Sequence, residues 1–213
     1  MNQFLTKDAI RQHVLNMPNE TDARILMADI HARNVAAGWW TDLDTKLRKA
    51  RNVGELLALM HSEISEAYDS YVEHDYEQPD SHLPHLSNVV VEIGDFCIRL
   101  FDTAAAYACS MPVVFYFNSR VIEEDRRWVE EHDPYGFSAV ANRLHSFTSQ
   151  ALEAHRKGGE IDLPLARALN TAVWFCRCAS LPLADAIADK IEYNGIRQDH
   201  KVENRLAQGG KKI

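Results

Sequence analysis

Leu56-Leu57-Ala58-Leu59-Met60-His61-Ser62-Glu63-Ile64-Ser65-Glu66-Ala67 has the spacing of an amphipathic helix. Leu56, Leu57, Met60, Ile64 and Ala67 recur at three- and four-residue intervals and give the segment one apolar face. Glu63 and Glu66 stand i, i+3 and project from one side of that helix. After 25 intervening residues (67 to 91), Glu92-Ile93-Gly94-Asp95 repeats the arrangement in a second helical stretch. Two such helices side by side gather four carboxylates, and like charges so close are stable only if a cation neutralises them. Oxygen-only donors favour a hard ion, so Mg²⁺ is the expected cofactor, with Mn²⁺ as a substitute. The alternative is a solvated acidic face. Ile64, Ala67, Ile93 and Phe96 beside the acids, and the pairing occurring twice, argue against it.

Outward from these helices the pattern stays helical, and an all-α fold is expected. Helices are predicted over 21–37, with Ile25, Leu26, Ile30 and Val35 on the apolar face, over 52–72 and over 86–109, the last cut off by Pro112. Val113 to Phe117 is short enough for strand or helix and is read as helix from its context. Further helices follow over 119–131, 136–156, 163–179 and 185–193, separated by Asp133-Pro134 and Gly158-Gly159. The tail from Asn194 to Ile213 is polar and basic.

Composition sets the class. With 46% hydrophobic and 25% charged residues in 213, the chain has the make-up of an ordinary globular protein. A formal charge of −8 argues against a broad nucleic-acid surface, but not against a nucleotide whose phosphates a metal bridges to carboxylates. No apolar run reaches the ~18–20 residues of a membrane span. The opening residues have no basic-then-apolar leader, so a cytoplasmic protein is expected. Cys97, Cys109, Cys176 and Cys178 lie in apolar stretches and read as small hydrophobes in a reducing compartment.

An internal echo links the two halves. His61, Ser62, Ser65 and Ala67 match His145, Ser146, Ser149 and Ala151 at a constant offset of 84, while Glu63 and Glu66 face Phe147 and Gln150. Further on, Arg99 matches Arg177 at an offset of 78, which sets Asn170 against Glu92 and Val173 against Asp95. The second half then reads as a helical hairpin that lacks the acids. Chance likeness between two amphipathic helices is the competing explanation.

Two further groups could meet a substrate. Lys190, Tyr193, Asn194 and Arg197 fall at i, i+3, i+4 and i+7, so a continuing helix puts them on one face, where Lys and Arg can clamp phosphate oxygens. The same row also describes many exposed helix ends. Trp39-Trp40 after Gly38 can stack on a base, with His31 as a further candidate, or can anchor a helix end to the core.

Taken together, these residues resemble the MazG-like branch of the all-α nucleoside triphosphate pyrophosphohydrolases, relatives of the dimeric dUTPases and dCTPases, as found in phages and bacteria. The likeness lies in Glu63-x-x-Glu66 followed by Glu92-x-x-Asp95, in His61-Ser62-Glu63-Ile64-Ser65-Glu66-Ala67, in Gly38-Trp39-Trp40 upstream and in Ile98-Arg99-x-x-Asp102. It continues in Lys190-x-x-Tyr193-Asn194-x-x-Arg197 and Gly209-Gly210-Lys211, and covers about 25–110 and 182–213. The resemblance implies Mg²⁺-dependent cleavage of a (deoxy)nucleoside triphosphate to monophosphate and pyrophosphate, controlling the nucleotide pool. It implies Glu63, Glu66, Glu92 and Asp95 as metal ligands, Glu63 and Glu66 also as catalytic, and Lys190, Tyr193, Asn194, Arg197, Trp39 and Trp40 as substrate contacts. Two departures stand out. Ser62 occupies a place where many relatives carry a third Glu, and the insertion from about 111 to 181 is foreign to the short members.

The expected organisation is one domain over 1–213: a metal-binding half (1–110), a degenerate repeat (111–181), and a phosphate-binding helix with a basic tail (182–213). A homodimer is expected, with a nucleoside triphosphate as substrate and neither membrane nor nucleic acid as partner. Two rival classes remain. A non-catalytic nucleotide-binding or interaction module would suit the decayed repeat, whereas a di-iron carboxylate bundle would need Glu-x-x-His pairs that these motifs lack.

Overall fold

A computed structural model of the chain describes residues 4–117, 119–132 and 136–206. The terminal Gly209-Gly210-Lys211 lies outside these. Among the described residues there is no strand, only isolated bridges between Thr41 and Arg48 and between Pro79 and Ser87, and the fold is an all-α bundle.

The acidic helices are α3 (Val53–His74) and α4 (Asn88–Ala106), which pack against each other more extensively than any other pair. Asn52 starts α3 by accepting from the Gly54 and Glu55 amides, groups no intrahelical carbonyl can serve. Ahead of them, α2 (Glu20–Ala36) packs on α4 with Ala23, Leu26, Met27 and Ile30 buried. Val35, expected on the apolar face, is 43% exposed, because the stripe has rotated away by the last turn.

α4 stops before Pro112 is reached. Its last turn is closed at Tyr107, and Ala108 turns the chain with a φ of 51°, while Pro112 lies in the first turn of the next helix, α5 (Met111–Phe117), where a missing N–H costs nothing. The second half continues with α6 (Ser119–His132), α7 (Phe137–Arg156) and α8 (Asp162–Cys178). α7 packs on both α3 and α8, so one face of α3 is closed from within the same chain.

α9 (Leu183–Ile196) lies across α4. The two helices pack closely at Gly94, where a Cβ would stand 3.4 Å from the Ala186 Cβ, an ordinary contact distance. A helix that the periodicity does not announce, α1 (Lys7–Asn16), docks on α9. Its Lys7 and Arg11 reach the buried Asp189 carboxylate at 2.9 and 3.1 Å, and His85 adds a third contact at 2.7 Å. Beyond α9 follow a 3-10 turn (Gln198–His200) and α10 (Val202–Leu206).

One apolar cluster runs from Ile10 to Ile191 through both halves. Cys97 and Cys176 are fully inside it and none of the four cysteines forms a disulfide, with burial pushing the Cys97 and Cys176 thiols far up. No helix among the described residues is long and apolar enough to cross a membrane.

Candidate metal centre

α3 and α4 turn their acidic faces toward a common cavity of about 440 Å³, roofed by α9 and the loops before α3 and α4. Carboxylate oxygens of Glu63, Glu92 and Asp95 lie within 4.8 Å of one another. Glu63 is 4% exposed and receives a hydrogen bond from Arg99 Nε one turn beyond Asp95.

Burial dominates the electrostatics. It pushes Glu92 up to about 9, with Asp95 adding repulsion and Lys190 opposing it. Burial also raises Glu63; Arg99 counters this, and Asp95 and Glu66 add to it. Such a cluster is held at a cost that a divalent cation removes. Three hard oxygen donors so close together, one buried and two half-buried, fit Mg²⁺ or Mn²⁺ by number and chemistry.

The fourth expected ligand stands apart. Glu66 lines the same cavity but is exposed, outside the three-acid cluster, with Ser62 Oγ donating to it at 3.2 Å. Position i+3 from a buried residue is already at the edge of the buried arc, and Glu66 has rotated toward solvent.

Lys190, on α9, is 5% exposed and pairs with Asp95 at 2.6 Å. Burial alone would lower its ammonium; the Asp95 partnership outweighs that and leaves it raised. The cation therefore stands at the metal cluster itself. One turn on, Asn194 lines the cavity, and its Oδ1 is buried without a hydrogen-bond partner among the described residues. Arg197 also lines the wall. Tyr193 does not; it stands behind, stacked on His82 at 4.8 Å with the Arg197 guanidinium over its ring.

The tryptophan pair splits its two readings. Trp39 lines the cavity, edge-on to His200 and covered by the Arg205 guanidinium 3.7 Å from its ring centroid. Trp40 is 4% exposed and off the cavity wall, so as a substrate contact it is replaced by a supporting role. Its Nε1–H donates to both Asp102 oxygens at 3.1 and 3.2 Å, and His31 Nδ1 meets Asp102 Oδ1 at 2.6 Å. His31 likewise stands behind Asp102 rather than on the wall.

Sequence reasoning gave no site role to several wall residues. Arg99 and Asp102 continue the stripe of Glu92 and Asp95 at i+7 and i+10, so helical periodicity alone could have placed them. Asp80 is fixed by the turn in which its Oδ1 accepts from the His82 and Leu83 amides. Arg51 comes from an aperiodic loop that carries no such signal. Comparison with family models, with curated proteins and with solved structures finds no match for this chain.

Proposed function

We propose that the protein is a Mg²⁺-dependent nucleoside triphosphate pyrophosphohydrolase. The observation that carries the reading is one cavity in which three clustered carboxylates face Lys190, with Arg99 bound to one of them and the aromatic Trp39 on the same wall. Carboxylates alone would hold a cation and little else. Cations beside them add affinity for the anionic oxygens a polyphosphate brings.

Glu63, Glu92 and Asp95 hold the ion, and Arg99 fixes the Glu63 carboxylate in place. When bound, the ion supplies Lewis acidity to the phosphoryl group under attack. Lys190 and Arg197 take phosphate oxygens, and Asn194 accepts from a sugar hydroxyl. Glu66, solvent-facing and outside the cluster, orients the attacking water and receives its proton. The water oxygen bonds to the α-phosphorus, the P–O bond to the β-phosphate breaks, and monophosphate and pyrophosphate leave.

The test is product analysis from a panel of dNTPs and NTPs with Mg²⁺ and with EDTA. The reading requires pyrophosphate and monophosphate in equal amounts with Mg²⁺ and neither in EDTA. Release of orthophosphate alone, or no turnover of any triphosphate, would sink it.

A further inference from the structure

At the other end of the cavity from the acids, two opposite charges share a wall without touching. Asp102 lies seven residues beyond Asp95 on α4, about 10 Å along the axis at 1.5 Å per residue. Its carboxylate is 5% exposed and held by His31 and Trp40. Oδ1 carries the 2.6 Å contact to His31 and the shorter branch from Trp40; Oδ2 carries only the 3.2 Å branch and keeps acceptor capacity.

Arg51 faces the same space. Its Nη2 is buried and has no hydrogen-bond partner among the described residues, and no ion pair joins it to Asp102. The guanidinium stands 5.6 Å from the Trp40 ring centroid, and Tyr107 pins the Arg51 carbonyl by its hydroxyl. Burial pulls Arg51 below its ordinary value, with Asp102 partly opposing. A buried guanidinium nitrogen left unpaired is costly, and a ligand that accepts from it recovers that cost.

We propose that Asp102 and Arg51 form a nucleobase subsite that prefers guanine, an inference that rests on the nucleotide-hydrolase reading above. The edge that fits must donate to a carboxylate and accept from a guanidinium. Guanine offers N1–H and N2–H₂ to the carboxylate and O6 and N7 to the arginine. Adenine and cytosine each bring a single amino donor beside a ring-nitrogen acceptor, so neither gives the carboxylate the two adjacent donors that guanine does. Thymine and uracil flank a single N–H with two carbonyls, which the carboxylate repels. Trp39, on the same wall and covered on one side by Arg205, gives the ring a surface to stack on.

The experiment is calorimetric titration of the full chain, with Mg²⁺ present, by dGMP, dAMP, dCMP and dTMP, repeated on Arg51→Gln. The wild type should bind dGMP about tenfold or more tighter than the other three, and Arg51→Gln should bring the four within about threefold. Equal wild-type affinities, no binding of any monophosphate, or an undiminished preference in Arg51→Gln each overturn the subsite. The wild-type ranking decides even if the variant does not fold. Binding of monophosphates needs no turnover, so selective dGMP binding without pyrophosphate release would sink the hydrolase and keep the subsite. Equal hydrolysis of all four dNTPs would do the reverse.

Discussion

His61 on α3 and His145 on α7 stack face to face with ring centroids 5.0 Å apart and their Nδ1 atoms 2.7 Å apart. These are the two residues that the internal echo equates. Where two related units pack about a two-fold axis, equivalent residues meet only beside that axis. The contact is what a duplicated helical pair folded on itself would produce.

The pair makes stability pH-dependent. Burial lowers both histidines, and for His145 the neighbouring His61 adds to the effect. A depressed histidine leaves stability whole above the unfolded value of about 6.5 and removes it as the pH falls through the folded values, because the unfolded chain then binds more protons. The melting temperature should decline between about pH 7 and pH 5.5, and His145→Asn should flatten that decline. The same slope in the variant would show that the pair does not titrate as described.

Phe147 stands where the echo sets Glu63. It is 4% exposed, with the Arg143 and Arg167 guanidinium groups 4.9 and 4.6 Å from its ring centroid. Phe147→Ala should cost about 3–5 kcal/mol of unfolding free energy and leave divalent-ion affinity unchanged. Denaturant unfolding and ion titration on the same sample check both halves. An unaltered unfolding midpoint would place the ring outside the core.

Asp189 ties the first helix to the last. Burial would raise its carboxyl, but Lys7 and His85 hold it below the ordinary value. A depressed carboxylate contributes stability above about pH 4 that is lost as the pH falls through the folded value. Asp189→Asn should therefore cost about 2 kcal/mol near neutrality, a penalty that shrinks progressively as the pH falls below about 4. A penalty that did not shrink in acid would show that Asp189 acts by packing and not by charge.

Glu66 should separate from the cluster in mutagenesis. Glu66→Gln is expected to keep ion affinity within about threefold of the wild type while slowing turnover by about a hundredfold or more, the size of a general-base contribution. If Glu66→Gln instead lost the ion as fully as a cluster variant, Glu66 would be a ligand in its own right.

How much of this was visible in the chain follows from where each signal resides. Helices with a long apolar stripe were legible, as were Glu63, Glu92 and Asp95, because i, i+3 spacing is local. The α1 helix was not: only Ile10 and Val14 of its ten residues are buried, and it is secured by ion pairs to a residue over 170 positions away. Trp39 and Trp40 shared one motif but face opposite ways, which no spacing rule separates. Arg51 reached the cavity through a loop without periodicity, so only tertiary structure places it.

The most direct test of the centre is Mn²⁺ binding followed by electron paramagnetic resonance, in the wild type and in Glu92→Gln and Asp95→Asn. The wild type should take up Mn²⁺ in competition with Mg²⁺, and each variant should weaken it by about tenfold or more. Equal uptake by all three proteins would contradict a metal centre at Glu63, Glu92 and Asp95.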